Sequence, residues 1–315
     1  ALALPQAAER DRWVARPSLS CVVPCHNEAR NLDQLLPRLI AALEPQIGHW
    51  EIILVDDGST DDTSATFARW LKHGAVRTIE LSRNFGKEAA LSAGLQAARG
   101  DLVVMLDADL QHEPGLIPEL LQKWREGADT VYAVRRDRAD EGPLKRLGAR
   151  GFYALVNQAD RFEVPPDAGD FRLMDRRVVD ALLALPERNR FMKGLYAWVG
   201  FKAAALPFVP HDRAGGQTSF SMRRLGSLAL LGLTSFTTLP LRVWSVVGSL
   251  VALLALVYGV WITLDTILNG TDLQGWPTLA ASIMLFSGVQ LMSIGILGEY
   301  IGRIYEEVKQ RPTYL

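Results

Sequence analysis

The sequence predicts an α/β domain, its mainly parallel sheet covered by helices on both faces, followed by two membrane-spanning helices. Three observations carry this reading. Apolar runs of strand length alternate with helical patterns through Arg135. The run Leu102–Leu106 ends abruptly in two carboxylates one residue apart, Asp107 and Asp109. Far downstream, Val243–Leu264 and Leu273–Gly298 are 22 and 26 residues without a charge.

Taken in order, Leu19–Pro24, Glu51–Asp56, Val76–Ser82, Asp101–Leu106 and Asp129–Arg135 read as strands, being short apolar runs bounded by turn residues. Between them Asn31–Glu44, Asp61–His73, Lys87–Arg99 and Gly115–Glu126 read as helices. Ser59-Thr60-Asp61-Asp62 supplies capping residues for the second, with acids at its positive end. Such alternation implies parallel strands with helices on both faces. After Pro143 the pattern changes. Pro143–Gln158 places Leu144, Leu147, Gly151, Phe152 and Leu155 on one helical face and Lys145, Arg146 and Arg150 on the other. Phe220–Thr238 is similar and opens with Arg223 and Arg224. Both suit helices lying in a membrane interface, basic side toward anionic headgroups; an amphipathic helix covering the sheet is the competing reading.

Each charge-free stretch is long enough to cross a hydrocarbon core of about 30 Å as a helix. Their connector carries Asp265 and Asp272 but no Lys or Arg. Arg223, Arg224 and Arg242 precede the first stretch, and Arg303, Lys309 and Arg311 follow the second. This asymmetry puts both termini in the cytoplasm. The expected organisation is a tail over 1–18, a catalytic domain over 19–215, an interfacial helix over 216–240, two spans near 242–266 and 275–299, and a cytoplasmic tail over 301–315. Lys plus Arg total 34 against 35 acids, a net charge of −1, so no global basic signature for nucleic acid is present. Cys21 and Cys25, the only two cysteines, read as reduced packing residues, and with five scattered His they form no zinc pattern.

Asp107 and Asp109 follow a buried strand, at the edge where open α/β sheets gather ligands. Two adjacent like charges are costly unless a cation shares them, and hard carboxylate oxygens suit Mg²⁺ or Mn²⁺. A divalent ion held by few protein oxygens completes its shell with substrate phosphates, which points to a diphosphate. The plain alternative makes Asp107 a strand-end cap and Asp109 a turn residue. A dinucleotide fold would also alternate strands and helices, yet no G-x-G-x-x-G follows the first strand, where Pro24-Cys25-His26-Asn27-Glu28 stands instead. That loop and Val55-Asp56-Asp57-Gly58-Ser59 end adjacent strands on the same edge, so three acidic strand ends converge.

The motifs P-x-x-N-E at 24–28, VDDGSTDDT at 55–63, SRNFGKEAAL at 82–91, LDADLQ at 106–111, GDFRLM at 169–174 and RFMKGLYAWVGF at 190–201 together resemble the polyisoprenyl-phosphate glycosyltransferases. These are family 2 enzymes of the GT-A fold related to dolichol-phosphate mannose synthase, and the bacterial branch that glucosylates undecaprenyl phosphate is similar in pattern. The resemblance implies that Pro24, Glu28, Asp57 and Lys87, with Asn27, Asp56, Asp107 and Ala108 beside them, hold a UDP-sugar. It assigns the metal to Asp107, Asp109 and Gln111, and places Asp109 and Asp170 at the reaction centre. The acceptor implied is a lipid phosphate, for which Arg135, Arg146, Arg190 and Arg213 are the expected cations, with Lys193 a further one. Direct attack on the anomeric carbon inverts configuration and gives a β-linked lipid product. A homo-oligomer such as a tetramer and an inner-membrane location belong to the same implication. GDP-mannose as donor, a processive synthase and a non-catalytic nucleotide-sugar-binding scaffold are the competing readings.

Overall fold

The computed structural model describes residues 17–135, 168–188, 190–208 and 275–315, with scattered helical positions between 246 and 268. The expected helices over 143–158 and 216–240 lie outside the described residues, as do Arg146, Arg213 and the side chain of Arg135.

The first half alternates β1 (Leu19–Cys25), α1 (Ala29–Leu43), β2 (Trp50–Asp56), α2 (Thr63–Trp70), β3 (Val76–Glu80), α3 (Lys87–Ala97) and β4 (Leu102–Met105). There follow a short 3-10 turn at Pro114–Leu116, α4 (Ile117–Arg125), β5 (Thr130–Arg135), β6 (Ala168–Asp175), α5 (Arg176–Leu183), α6 (Met192–Trp198), β7 (Ala203–Phe208) and finally α7 (Trp276–Lys309). The seven strands form one sheet in the order β3-β2-β1-β4-β6-β5-β7. β6 runs antiparallel to both neighbours, β4 and β5, and the other described pairings are parallel.

Alternation along the central strands builds two cores. Cys21, Val23, Ile52, Leu54, Leu102 and Val104 face α1 and α4, packing on Leu35, Leu39, Leu120 and Trp124. Val22, Ile53, Val55, Val103 and Met105 face α3, α5 and α6, packing on Leu91, Leu95, Val179 and Leu195. Strands buried on both faces explain why these runs are continuously apolar rather than alternating. Both cysteines are free and buried, and burial pushes the Cys21 thiol up to about 12, too high for reactivity.

Helix α3 sits against β1 because its residues are small: Ala89, Ala90, Ser92, Ala93 and Gly94 are all buried. A Cβ at Gly94 would stand 2.2 Å from Val22 Cγ1. In a right-handed β-α-β crossover the helix returns antiparallel to the strands. It therefore starts at their carboxyl edge, and that puts Lys87, its first residue, beside the ends of β1, β2 and β4.

Helix α7 is 34 residues long, and Leu279, Ile283, Phe286, Leu291, Met292, Ile294 and Leu297 are each at least 44% exposed along it. Val246, Leu250, Leu253, Leu254, Val257 and Trp261 are likewise exposed on the preceding helical positions. Among the described residues no helix is long and apolar enough to cross a membrane.

Candidate active site

The chain order reverses between β1 and β4, and the carboxyl ends of β1, β2 and β4 open onto that switch point. The β1 and β2 loops lock together first. Asn27, held at φ 59°, accepts from Thr60 N at 2.8 Å through its side-chain oxygen, while its own N–H donates to Ser59 Oγ at 2.9 Å. Ser59 N donates to Asp56 Oδ1 at 3.0 Å, and Glu28 N donates to Thr63 Oγ1 at 3.1 Å. Asn27 therefore latches the two loops together, and Asp56 holds the turn of its own loop. Pro24 lies within β1 in register with Val55, and Ala108 is buried just past β4.

Asp57 ties this unit to α3. Its two carboxylate oxygens accept from Phe85 N at 2.7 Å and Gly86 N at 2.9 Å. Gly58 makes the approach possible, since it has φ +63° and a Cβ there would lie 2.4 Å from Arg83 C and Asn84 N. Gly58→Ala is therefore expected to destabilise the fold by about 3 kcal/mol, from combined backbone strain and overlap with main chain that cannot yield. Urea unfolding checks this; a change within about 0.5 kcal/mol would contradict it.

Lys87 is the hub. Its ammonium lies 2.7 Å from Asp107 Oδ1 and 2.7 Å from Asp170 Oδ2, joining the end of β4 to β6. Burial works against that charge, but Asp107 and Asp170 outweigh it and raise the Lys87 pKa above its ordinary value. Asp170 is the mirror case: burial pushes its carboxyl up, while Lys87, Lys193 and Arg172 outweigh burial and hold it below the usual range. The chain past Asp107 turns sharply. Leu110 takes φ 60°, Asp109 Oδ1 accepts from Gln111 N at 3.1 Å, and Gln111 is buried. His112 then wedges between Phe171 and Phe208, ring centroids 5.2 and 5.0 Å away, anchoring this loop to β6 and β7.

Surrounding charge is acidic. Burial, Asp109, Asp107 and Asp61 together raise the Glu28 pKa, although a hydrogen bond from Asn31 opposes them. Asp107 and Asp109, one residue apart just past β4, offer carboxylate oxygens of the kind a divalent cation takes. Among the described residues no group of three or more His, Cys, Asp or Glu could hold a metal ion.

Two features escaped the sequence reading. Arg172, buried in β6, stacks 3.5 Å from the Tyr196 ring centroid and 5.7 Å from that of Tyr132, and donates to Gly169 O at 3.1 Å. It shares a strand face with Asp170 two residues earlier and adds to its positive surroundings. Glu88, beside Lys87, has its carboxyl pushed up to about 8, first by burial and then by Asp170. The folded state therefore binds more protons here than the unfolded chain, and stability falls as pH climbs from about 4.5 toward 8. Glu88→Gln is expected to flatten that slope and raise the urea midpoint at about pH 8.5 relative to wild type. An unchanged slope would contradict it.

Of the expected acceptor cations, Arg190 is committed elsewhere: its guanidinium donates to Glu187 O at 3.1 Å and Leu185 O at 3.0 Å, and lies 3.4 Å from Ser92 Oγ. It braces the turn before α6. Arg135 is the last residue of β5.

Fold and site together define a class: an α/β glycosyltransferase of the GT-A type, acids at the switch point and a lysine between them. The family model described as "Glycosyl transferase family 2" matches residues 20–183, and that of the "GtrB C-terminal hairpin" matches 239–304; the chain belongs to glycosyltransferase family 2 and carries this hairpin. An uncharacterized glycosyltransferase of Synechocystis sp. is 48% identical over 94% of both chains. A prophage bactoprenol glucosyl transferase homolog of Escherichia coli K12 is 43% identical over 94% of this chain and 97% of its own. The bactoprenol glucosyl transferase of Shigella phage SfII is 44% identical over 94% of this chain and 96% of its own.

Proposed function

We propose that the protein transfers glucose from UDP-glucose to undecaprenyl phosphate, inverting the anomeric carbon and releasing UDP, at the cytoplasmic face of a bacterial inner membrane. The observation that carries it is Lys87 held between Asp107 and Asp170, because it joins the carboxylate that serves the donor diphosphate to the one nearest the acceptor. Relatives named bactoprenol glucosyl transferases over nearly the full chain support glucose as the sugar and a bactoprenol lipid as the acceptor.

A phosphate monoester has its second pKa near 6 and arrives at neutral pH mostly dianionic. The nucleophile therefore needs no strong base. Asp170, held below the usual carboxylate range, is a poor proton acceptor and serves instead to fix Lys87. Lys87 offers positive charge where two phosphate groups must approach, and Arg172 with its two tyrosines keeps β6 and Asp170 in place. Asp107 and Asp109 are the residues to hold Mg²⁺ or Mn²⁺, which when bound neutralises charge on the departing diphosphate. The Asn27, Asp56 and Asp57 hydrogen bonds hold the nucleoside edge rigid before substrate enters, so little ordering remains to be done.

The exposed apolar surface of α7 and of the positions before it, with the matched hairpin, supports two spans that hold the catalytic domain at the interface where a polyprenyl phosphate presents its head. The test incubates the membrane-reconstituted protein and undecaprenyl phosphate with UDP-[¹⁴C]glucose or GDP-[¹⁴C]mannose, with Mg²⁺, Mn²⁺ or EDTA, and counts lipid-extractable label. Metal-dependent label from UDP-glucose is expected. Label from GDP-mannose alone would replace the donor, and none from either would favour a non-catalytic binder.

A further inference from the structure

Helix α3 carries Lys87 in its first turn, yet its own surface does little to fix its position along its axis. The face it lays on the sheet is built from Ala89, Ala90, Ala93 and Gly94, with Leu91 and Leu95 as the large side chains buried among them. Small residues allow close approach but make shallow ridges that interlock weakly. Gly86 precedes the helix and gives it no side-chain cap, so its start hangs on Asp57, which takes the Phe85 and Gly86 amides. The Lys87 ammonium stands 2.7 Å from both Asp107 and Asp170, a bridge that a shift of about 1 Å would open.

Further fastenings come from the segment after α7. Gln310 takes φ 50° and turns the chain out of that helix. The Tyr314 hydroxyl donates to Gln96 Oε1 in the last turn of α3, and the Tyr314 ring packs against the core cluster that holds Leu91 and Leu95. Burial raises the Tyr314 pKa, so the phenol keeps its proton and can donate it. Ser82 N, ahead of Lys87, donates to Leu315 O at 2.9 Å. The two contacts bracket the helix start, since Gln96 lies about 14 Å along α3 from Lys87. The end of α7 is itself pinned, because Arg188 N donates to Glu307 Oε1 at 2.9 Å.

Between these contacts Arg311, Pro312 and Thr313 line a cavity of about 480 Å³, and Phe85, Gly86 and Lys87 line it too. Close-packed surroundings would hold the first turn of α3 by themselves. A cavity beside that turn leaves it room to move once the outer contacts are lost.

We propose that Tyr314 is a positioning residue for the reaction: with the Leu315 carbonyl it straps α3 to the end of α7, and so sets where Lys87 stands between Asp107 and Asp170. The strap makes the geometry of the active-site lysine depend on how α7 docks against the catalytic domain. It rests on the role given to Lys87 above.

The test uses the full chain reconstituted in membranes and reads kcat/KM for glucosyl transfer together with the rate at which acetic anhydride acylates Lys87, followed by mass spectrometry against exposed Lys72. Held between two carboxylates, Lys87 stays protonated and reacts slowly. Y314A should speed Lys87 labelling about threefold or more with Lys72 unchanged, and lower kcat/KM about tenfold. Y314F keeps the ring and should recover part of each. Added to K87M, Y314A should cost nothing further, because a residue that acts through Lys87 has nothing left to position. Unchanged Lys87 labelling in Y314A, or the full loss repeated on top of K87M, would overturn the strap. Should Y314A speed every lysine alike, its fold is lost and Q96A decides, since that position is exposed and only the hydrogen-bond acceptor is removed. Lys87 labelling about twofold faster in Q96A supports the strap, and an unchanged rate overturns it. A wild type that transfers no sugar would sink the proposed reaction and leave the labelling to decide the strap.

Discussion

Asp109→Asn is expected to lower kcat/KM for glucosyl transfer by about 10³-fold, roughly 4 kcal/mol of transition-state stabilisation, with thermal stability unchanged. The substitution is close to isosteric. Asp109 Oδ1 accepts from Gln111 N at 3.1 Å, and an Asn oxygen can accept the same bond, so the turn through Leu110 survives. What disappears is the charge that balances a cation on the diphosphate, and only the reacting complex needs that charge. The same variant should need far more Mn²⁺ to reach half its residual activity. Transfer within about tenfold of wild type would mean that Asp109 is only a turn residue.

Lys87→Met carries the second large effect, and here activity and stability both respond. The ammonium touches Asp107 and Asp170 at 2.7 Å each, with side-chain exposures of 43%, 22% and 19% for Lys87, Asp107 and Asp170. Removing it leaves two half-buried carboxylates facing each other without their shared cation. About a 10²-fold loss of kcat/KM is expected, from lost positive charge at the phosphates. The stability loss is moderated by solvent at this partly exposed site, and about 1–2 kcal/mol is expected. Its pH dependence identifies the cause. In wild type the Asp170 carboxyl is held below its ordinary 3.8, so its contribution is present at neutral pH and lost as pH falls through the depressed value. The gap between wild type and Lys87→Met should therefore be widest near neutrality and close in acid. Urea midpoints across that range check it, and a gap independent of pH would mean that Lys87 acts through packing alone.

What the sequence made legible was what one strand or one loop encodes. β1, β2 and β4 are buried on both faces, so their residues had to be continuously apolar, and the acids ending them stand out against that background. The β6 strand was harder to read because its buried Arg172 breaks the apolar pattern; two tyrosines from β5 and α6 accept that charge, and neither is a sequence neighbour. Asp57 was legible as an edge acid, but its partners, the Phe85 and Gly86 amides, lie 28 and 29 residues away. Arg190 was read from the sequence as a candidate cation for the acceptor phosphate; the carbonyls of Glu187 and Leu185 that its guanidinium holds belong to a turn that no residue pattern advertises. The docking of Tyr314 on Gln96, 218 residues apart, is a contact that only the assembled fold reveals.

The most direct measurement of the central claim is the chemical identity of the product made from UDP-glucose and undecaprenyl phosphate. NMR of the isolated lipid should show glucose joined through a single phosphate with β configuration at the anomeric carbon, as one displacement on an α-linked donor requires. An α-linked product, or free glucose and UDP with no glycolipid, would contradict it.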